Sequence, residues 1–298
     1  MGAVPARRRR PAGAAVTTLG IDLGATHVRA GLVDRDGRLS DVTRQVLPPG
    51  PAARLDAVRA VLAHYPEPAA VGLAVAGTVR DGVLTWSANL GLSDVDFAAE
   101  LGRPVAVIND ARAAGLAEAR FGAGAGAATV LLVTVGTGLG GALVTGGRPH
   151  EGTGHAGEVG HLVLDAGGPP CRCGSRGCWE QLAGGVALNR TGAGLGPDGG
   201  GTPGAARLAA TAAAGQPRAV AALARHAREF ARGLDSLCAV LAPHTVVLGG
   251  GLVARSGPIR EAYLAAARTL RWHTGPVRPA RLGDDAGVIG AALAANLS

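Results

Sequence analysis

Lysine is absent from the 298-residue chain, so all 29 basic residues are arginines. Aromatic residues make up only 3% of the chain, whereas hydrophobic residues make up 47%, so we expect cores built from alanine, valine and leucine. The length allows two domains with cores of ordinary size. Arginine without lysine, together with abundant alanine and glycine, is more typical of codon bias in a GC-rich genome than of a functional choice.

Long apolar runs are also missing. No stretch approaches the length of a membrane-spanning helix without glycine or a charge interrupting it, so we expect no membrane partner. Residues 1–18 contain four consecutive arginines, but the apolar segment after them is too short and weak for a signal peptide. We interpret this segment as a disordered basic tail.

The net charge of +7 suits an anionic substrate such as a nucleotide. The arginines are nevertheless dispersed, and no stripe of basic and aromatic residues accompanies them. We therefore expect no nucleic-acid partner.

Cysteine is rare, and three of the four cysteines lie close together. Cys171, Cys173 and Cys178 fall within eight residues, and His161 precedes the first by ten. A disulfide between Cys171 and Cys173 would be strained and would leave an odd thiol, so a tetrahedral structural zinc site is favoured over a loop of reduced cysteines. Free thiols of this kind fit a reducing cytoplasm. Cys238 lies in an apolar helical run and is predicted to be a small buried hydrophobic residue.

Two acidic residues flank this cluster. Glu158 precedes His161 by three residues, and Glu180 follows Cys178 by two. Once the cluster is fixed, both carboxylates can point to one place and bind a polyol. The alternative is that they are ordinary surface glutamates.

Two segments predict strand–glycine turn–strand units that can hold phosphate. The first, LGIDLGATHVRAGLVD at 19–34, carries Asp22, Gly24 and Thr26, and the second spans 129–145 with Gly136, Thr137 and Gly138 at its turn. Backbone N–H groups in such turns bind phosphate, although any hairpin can carry glycine. The two together are much more specific than either alone, and they indicate a duplicated fold.

The remaining pattern alternates strands with helices and predicts an α/β fold. Strand 104–110 ends in Asn109 and Asp110, which either cap the following helix or lie where open α/β sheets bind ligands. The other predicted elements are helix 54–64, strand 69–77, a loop with Trp86, Asn89 and Leu90, a flexible glycine-rich loop at 190–204, helices within 205–242, strand 245–253 with Gly249, Gly250 and Gly251, helix 258–271 and a final helix near the C-terminus.

With these residues in view, residues 19–298 resemble the ROK family of bacterial repressors, open reading frames and sugar kinases, and within it the glucokinases. The most specific matches are ExGH at 158–161 and CxCGxxGCxE at 171–180. The resemblance implies two actin-like (ribonuclease H-like) domains with a cleft between them, at 19–122 and 123–286, with residues 287–298 packing back on the first and a zinc loop at 161–178. It further implies a cytoplasmic homodimer that phosphorylates a hexose, mainly glucose, at its primary hydroxyl.

The same resemblance implies a role for each candidate residue. Asp110 is the expected general base, and ATP with Mg²⁺ is the expected donor. The expected sugar-binding residues are Asn89, Asn109, Asp110, Glu158, His161 and Glu180. The expected phosphate- and nucleotide-binding residues are Asp22, Gly24, Thr26, Thr137, Gly138, Gly249, Gly250 and Gly251. The expected zinc ligands are His161, Cys171, Cys173 and Cys178.

The sequence departs from the family pattern at three places. Ala142 replaces a glycine after the second turn, Arg112 replaces a frequent asparagine, and AVAGTV at 74–79 lacks a usual proline. These departures leave open N-acetylmannosamine, fructose or mannose as the sugar and polyphosphate as the donor. A sugar-responsive repressor is a weaker alternative, because the winged helix of such repressors would precede the first turn. A non-catalytic sugar-binding protein is a third interpretation, which the retention of Asp110 and both turns disfavours.

Overall fold

A computed structural model describes residues 17–65, 67–195, 203–254 and 256–297. Residues 1–16 of the predicted tail lie outside the described residues, and Thr18 opens the first strand. The strands are β1 (Thr18–Leu23), β2 (His27–Val33), β3 (Leu39–Val46), β4 (Val71–Val75), β5 (Thr78–Arg80), β6 (Val83–Ser87), β7 (Leu92–Val95), β8 (Ala106–Asn109), β9 (Thr129–Val135), β10 (Leu139–Thr145), β11 (Arg148–Pro149), β12 (Thr245–Gly249) and β13 (Val277–Pro279). The α-helices are α1 (Ala52–His64), α2 (Phe97–Leu101), α3 (Asp110–Phe121), α4 (Trp179–Ala183), α5 (Gly185–Ala193), α6 (Gly204–Ala213), α7 (Pro217–Leu241), α8 (Pro258–Ala266) and α9 (Ala286–Ala294).

Two five-stranded sheets repeat one topology. The first has the order β3-β2-β1-β4-β8, and the second has the order β11-β10-β9-β12-β13. In each, a central strand pairs antiparallel with the next strand in the chain and parallel with a later one. The two predicted strand–turn–strand units are therefore confirmed, and the shared order supports the predicted duplication.

Parallel pairing brings the carboxyl ends of three strands of the first sheet to one edge. Asp22 on β1 lies opposite Ala74 on β4, and Val75 lies opposite Asn109 on β8. Asp22 and Asp110 therefore leave the sheet at the same end, which is where α/β folds place their ligands.

Helices α3 and α9 lie between the two sheets and contact each other. Helix α9 packs on β1 and β4 of the first sheet, whereas α3 packs on β9 and β10 of the second. The approach is close enough to require glycine: a Cβ on Gly72 would lie 1.8 Å from the Ala291 carbonyl oxygen, and one on Gly290 would lie 1.8 Å from the Ala113 carbonyl oxygen.

The second sheet's core contains aromatic residues that the composition did not lead us to expect there. Trp179 is fully buried and stacks on Phe230 with ring centroids 5.5 Å apart. Phe230 in turn stacks on Tyr263 at 4.5 Å. The first core also contains Tyr65 and Phe97, while most other core residues are the expected alanine, valine and leucine, and Cys238 is buried as expected. Three of the eight aromatic residues thus form one stack that begins at Trp179 on α4, directly after the cysteine cluster.

Several predicted boundaries were wrong. The loop predicted around Trp86 is a separate three-stranded sheet of order β5-β6-β7. The loop predicted at 190–204 overlaps two helices, since α5 continues to Ala193 and α6 begins at Gly204; its residues 196–202 lie outside the described residues. The strand predicted at 245–253 ends at Gly249, because the chain turns at Gly250 with φ +87°. The helix predicted at 258–271 ends at Ala266 and continues only as a short 3₁₀ turn.

Candidate active site

The predicted metal ligands converge. One ligand atom from each of His161, Cys171, Cys173 and Cys178 lies within 4.8 Å of all the others. Cys173 Sγ lies 3.5 Å from Cys178 Sγ, and Cys171 Sγ lies 3.6 Å from His161 Nδ1. Ligands at the vertices of a tetrahedron around zinc are separated by roughly 3.6–3.8 Å, given Zn–S and Zn–N bonds of about 2.3 and 2.0–2.1 Å. The cluster therefore fits a tetrahedral metal ion in both chemistry and spacing.

The folding of this loop depends on local turns and on one buried anchor. Gly177 has φ +63°, and a Cβ there would overlap the Asp165 carbonyl oxygen at 1.5 Å. Burial, together with the neighbouring Cys171 and Cys173, raises the pKa of Cys178, and a metal ion would stabilise its thiolate. Trp179 Nε1 donates to the Glu229 carbonyl oxygen at 3.0 Å and fastens the end of the loop to the second core.

The two flanking glutamates do not occupy equivalent positions. Glu158 Oε2 lies 3.9 Å from His161 Nε2, on the imidazole edge that faces away from Cys171. Glu180 Oε1 accepts a hydrogen bond from Cys171 Sγ at 3.2 Å. Its other oxygen, Oε2, lies beside Gly138, where an added Cβ would be only 2.2 Å from it. Glu180 thus connects the metal cluster with the second glycine turn, and Glu158 faces the acidic residues described next.

Asp110 is the first residue of α3 and follows the last residue of β8. Its Oδ1 accepts from the Ala111 amide at 2.8 Å and from Asn109 Nδ2 at 3.1 Å. Burial raises the pKa of Asp110 to about 6, and the charges of Asp22 and Glu158 push it in the same direction. Asp110 is therefore a held, half-buried carboxylate that titrates close to neutral pH.

Asn109 supplies the helix cap that the sequence left as one of two interpretations. Its Oδ1 accepts from the Arg112 amide at 3.0 Å, and its Nδ2 also donates to the Gly77 carbonyl oxygen at 3.0 Å. The same side chain therefore caps α3 and orients Asp110, so the two interpretations of Asn109 do not exclude each other.

Asp22 is the second carboxylate with a displaced pKa. Burial raises its pKa to about 6, although Arg29 on the neighbouring strand opposes the shift. The start of α9 lies directly beside it, since a Cβ on Gly287 would be 2.6 Å from Asp22 Oδ2. Nothing in the local sequence around Gly287 indicates this contact, because it joins opposite ends of the chain.

Each glycine turn leaves backbone donors available. Among the described residues, the amides of Ala25 and Thr26 in the first turn, and of Thr137 and Gly138 in the second, donate to no protein acceptor. The second turn is held from behind, because the amides of Gly185 and Val186 donate to the carbonyls of Gly136 and Thr137 at 3.0 and 2.8 Å. Free amides on a fixed turn form an anion-binding surface.

The remaining predicted residues surround these turns to different degrees. Gly250 packs on the backbone of Val135 at the end of β9, so the glycines after β12 border the second turn. A Cβ on Gly140 would lie 3.5 Å from the Ala111 Cβ, so the strand that follows the second turn lies next to the start of α3. Asn89 is exposed in the turn between β6 and β7, and no contact joins it to the other candidate residues among those described.

Two departures from the family pattern have structural explanations. Ala142 is buried against α3, where a Cβ on Gly115 would lie 2.5 Å from the Ala142 Cβ, so this alanine faces away from the turn. Arg112 is buried and bonds to the backbone near Gly154, a contact that its position in the sequence did not reveal. The only indication in the sequence was that arginine stands at a position where the family frequently has asparagine.

Two sheets of one topology, flanked by helices and carrying turns that face a shared set of carboxylates, define the actin-like α/β fold. The ROK family profile matches residues 18–297, and the chain belongs to this family. The glucokinase of Streptomyces coelicolor is 34% identical over 92% of this chain and 96% of its own. The N-acetylmannosamine kinase of Escherichia coli O139:H28 is also 34% identical, over 94% and 98%.

A solved structure agrees with this assignment. The ROK glucokinase of Streptomyces griseus, determined in complex with glucose and AMPPNP, superposes with a TM-score of 0.78 at 34% identity and covers 95% of this chain and 100% of its own. Within the described residues, no helix combines the length and apolar character needed to cross a membrane.

Proposed function

We propose that the chain transfers the γ-phosphoryl group of ATP to the primary hydroxyl of a hexose, converting glucose to glucose 6-phosphate. The observation that carries this proposal is the setting of Asp110, a held carboxylate with a pKa near 6 beside two further carboxylates. Similarity to glucokinases over nearly the whole chain supports the same reaction.

Asp110 acts as the general base. It accepts the proton of the sugar hydroxyl as the bond between that oxygen and the γ-phosphorus forms, and the bond to the β-phosphate oxygen breaks. A raised pKa improves proton acceptance at neutral pH while leaving most of the group ionised, and a base of this kind contributes roughly 10²–10⁴-fold. Asn109 and the Ala111 amide hold the accepting carboxylate in one orientation.

The nucleotide lies along the two glycine turns. Their free amides, with Thr26 and Thr137 beside them, bind phosphate oxygens, and Gly249, Gly250 and Gly251 border the adenosine. Magnesium brought with ATP would neutralise phosphate charge, and Asp22 is the oxygen ligand suited to hold it directly or through water. The pKa of Asp22 is raised mainly by burial, and a bound cation would stabilise the ionised form of a desolvated carboxylate.

The sugar would lie between Asp110 and the metal cluster, with Glu158, His161 and Glu180 as its ligands from the segment that carries the cluster. Asn89 stays a candidate from the resemblance alone, because it is exposed in the turn between β6 and β7. Asn109 contributes mainly by orienting Asp110, because the oxygen and the nitrogen of its side-chain amide are already hydrogen-bonded to protein.

Zinc is the metal that the four-residue cluster is proposed to hold. Three thiolates and one imidazole complete a four-coordinate shell, so zinc would cross-link the loop rather than activate water. The division into domains at 19–122 and 123–286, the return of 287–298 to the first domain, the homodimer and the cytoplasmic location stay predictions of the resemblance.

An assay of sugar phosphate formation, which detects transfer from either donor, tests the function. Purified protein is incubated with ATP or polyphosphate and with glucose, mannose, fructose, N-acetylmannosamine or N-acetylglucosamine, beside an Asp110→Asn control. The highest kcat/KM with glucose and ATP is expected. N-acetylmannosamine is the second candidate, since a kinase for that sugar is equally identical to the chain. Absence of phosphoryl transfer to every sugar, with sugar binding retained, would instead indicate a non-catalytic regulator.

A further inference from the structure

Arg112 is an unusual residue for the interior of a protein. It lies in the first turn of α3, two residues after Asp110, and only 2% of it is exposed. Its Nη2 donates to the Gly154 carbonyl oxygen, and its Nε donates to the Ala156 carbonyl oxygen at 3.3 Å. The arginine therefore joins the helix that begins with Asp110 to the segment that leads directly to Glu158.

The energetics argue against a role in stability alone. Burial lowers the pKa of Arg112, and the charges of Glu151 and Glu158 act in the opposite direction. Its Nη1 is buried without a hydrogen-bond partner among the described residues. A buried cation with an incomplete set of partners is commonly no more stabilising than an apolar side chain of similar volume. Some other advantage is needed to explain this arrangement.

The segment at 150–157 is held by its own turn bonds and by the packing of Gly157 on the Gly141 carbonyl, and Arg112 adds the side-chain bonds that tie it to α3. A cavity of about 600 Å³ adjoins its first residues, with His150 and Glu151 on one side and β8 on the other. Gly154 has φ +98°, and a Cβ there would lie 3.0 Å from the Val79 carbonyl oxygen, so the segment turns sharply against β5. The two bonds from Arg112 fix the path of the segment just before it reaches Glu158.

We propose that Arg112 is a positioning residue that sets the distance between Glu158 and Asp110 and thereby the affinity for sugar. This inference rests on the proposed function. It explains why a costly buried cation is present: the guanidinium can bridge two carbonyl oxygens with rigid, planar geometry, which a shorter or more flexible side chain cannot reproduce. ATP binds along the glycine turns, so its affinity does not depend on this segment.

The test replaces Arg112 with methionine, which keeps an unbranched stem and removes the guanidinium. We expect the sugar KM of Arg112→Met to rise at least about tenfold, while the KM for ATP changes less than about twofold. Arg112→Lys, which can reach one carbonyl oxygen, is expected to be intermediate. Calorimetry with sugar alone should show the same order of affinities, and metal content should match that of the wild-type protein.

Arg54 offers a matched control. It is also buried, donates through Nη1 to the Pro48 carbonyl oxygen, and has an unpartnered Nε, but it belongs to α1 on the other face of the first sheet. Arg54→Met removes a comparable guanidinium and should leave the sugar KM unchanged.

The outcomes separate the two proposals. Wild-type protein that phosphorylates no sugar would refute the proposed function. Active wild-type protein with an unchanged sugar KM in Arg112→Met, or an equal rise in Arg54→Met, would overturn the role of Arg112 alone. If Arg112→Met does not fold, Arg112→Lys is judged against wild type by the same ratio of sugar KM to ATP KM.

Discussion

Asp110 combines burial, two bonds to its carboxylate and two acidic neighbours, an arrangement that makes its charge both reactive and costly. Replacing it with asparagine keeps the shape but removes the proton acceptor. We expect Asp110→Asn to bind sugar normally and to lose at least about 10²-fold in kcat. Steady-state kinetics and calorimetry measure the two effects, and near-normal turnover would remove Asp110 from the mechanism.

The same substitution should make the protein more stable. Because the pKa of Asp110 is raised in the folded state, the ionised form opposes folding above about pH 6, and this penalty is relieved as the pH falls and the group is protonated. Asparagine is neutral at every pH, so the thermal midpoint of Asp110→Asn should exceed that of wild type at pH 7.5, and the difference should shrink towards pH 5.

The pH dependence of activity follows from the same pKa. Only ionised Asp110 accepts a proton, so kcat/KM for sugar should fall as the pH drops through about 6, rather than near 4 as for an ordinary aspartate. Asp22 titrates in the same range, and protonation of either carboxyl should lower activity; because the two charges repel each other, the two titrations spread over a wider pH range than a single group would give. An acid limb at pH 4 would contradict the assigned environment of Asp110.

Among the elements, the cysteine loop is the one whose shape depends most on an added group. Cys173 is exposed, so Cys173→Ser removes a ligand with little change in packing. Structural zinc contributes on the order of 10–16 kcal/mol of apparent binding energy. We expect the variant to purify with substoichiometric zinc and a much higher sugar KM, while the KM for ATP changes little because the glycine turns are held by other contacts.

Elemental analysis and kinetics give the result. Wild-type protein that contains no zinc yet is fully active would refute the zinc assignment, as would an unchanged sugar KM in Cys173→Ser. Cys238→Ser is a useful comparison, because Cys238 lies in the core, away from the cluster, and its replacement should leave the zinc content unchanged.

The elements that could be predicted from the sequence are those with strong local signals. The two glycine turns lie between long, alternating strands, and the metal ligands lie close together in sequence. The small sheet of β5, β6 and β7 escaped prediction because its strands are three to five residues long and resemble a turn-rich loop. The last residues of α5, 190–193, read as part of a loop because Thr191 and Gly192 weaken the helical pattern, although both pack against neighbouring helices. The contacts of Arg112 and Gly287 join residues far apart in the chain, and no local pattern encodes them.

The whole molecule depends on the crossing of α3 and α9 between the sheets. A Cβ on Gly290 would overlap the Ala113 carbonyl oxygen at 1.8 Å, and each of the two helices also packs on one of the sheets. We expect Gly290→Ala to lower the free energy of unfolding by several kcal/mol, more than most single substitutions do. Gly82→Ala is the control: its position has φ +78° but open space, so only about 1–2 kcal/mol of backbone strain is expected. Equal losses in the two variants, measured by denaturant unfolding, would contradict tight packing at this crossing.

Helix α9 also has a consequence for how the protein is made. Strands β1 and β4 leave the ribosome well before α9, the helix that covers one of their faces, which is synthesised after all the strands of both sheets. During translation, one apolar face of the first sheet therefore stays exposed until α9 has been synthesised, while the second sheet can already fold. We expect nascent chains halted before residue 286 to bind chaperones and to be cut by protease within the first sheet. Full-length chains diluted from denaturant have α9 present from the start and should avoid that interval, which protease sensitivity of the two preparations would reveal.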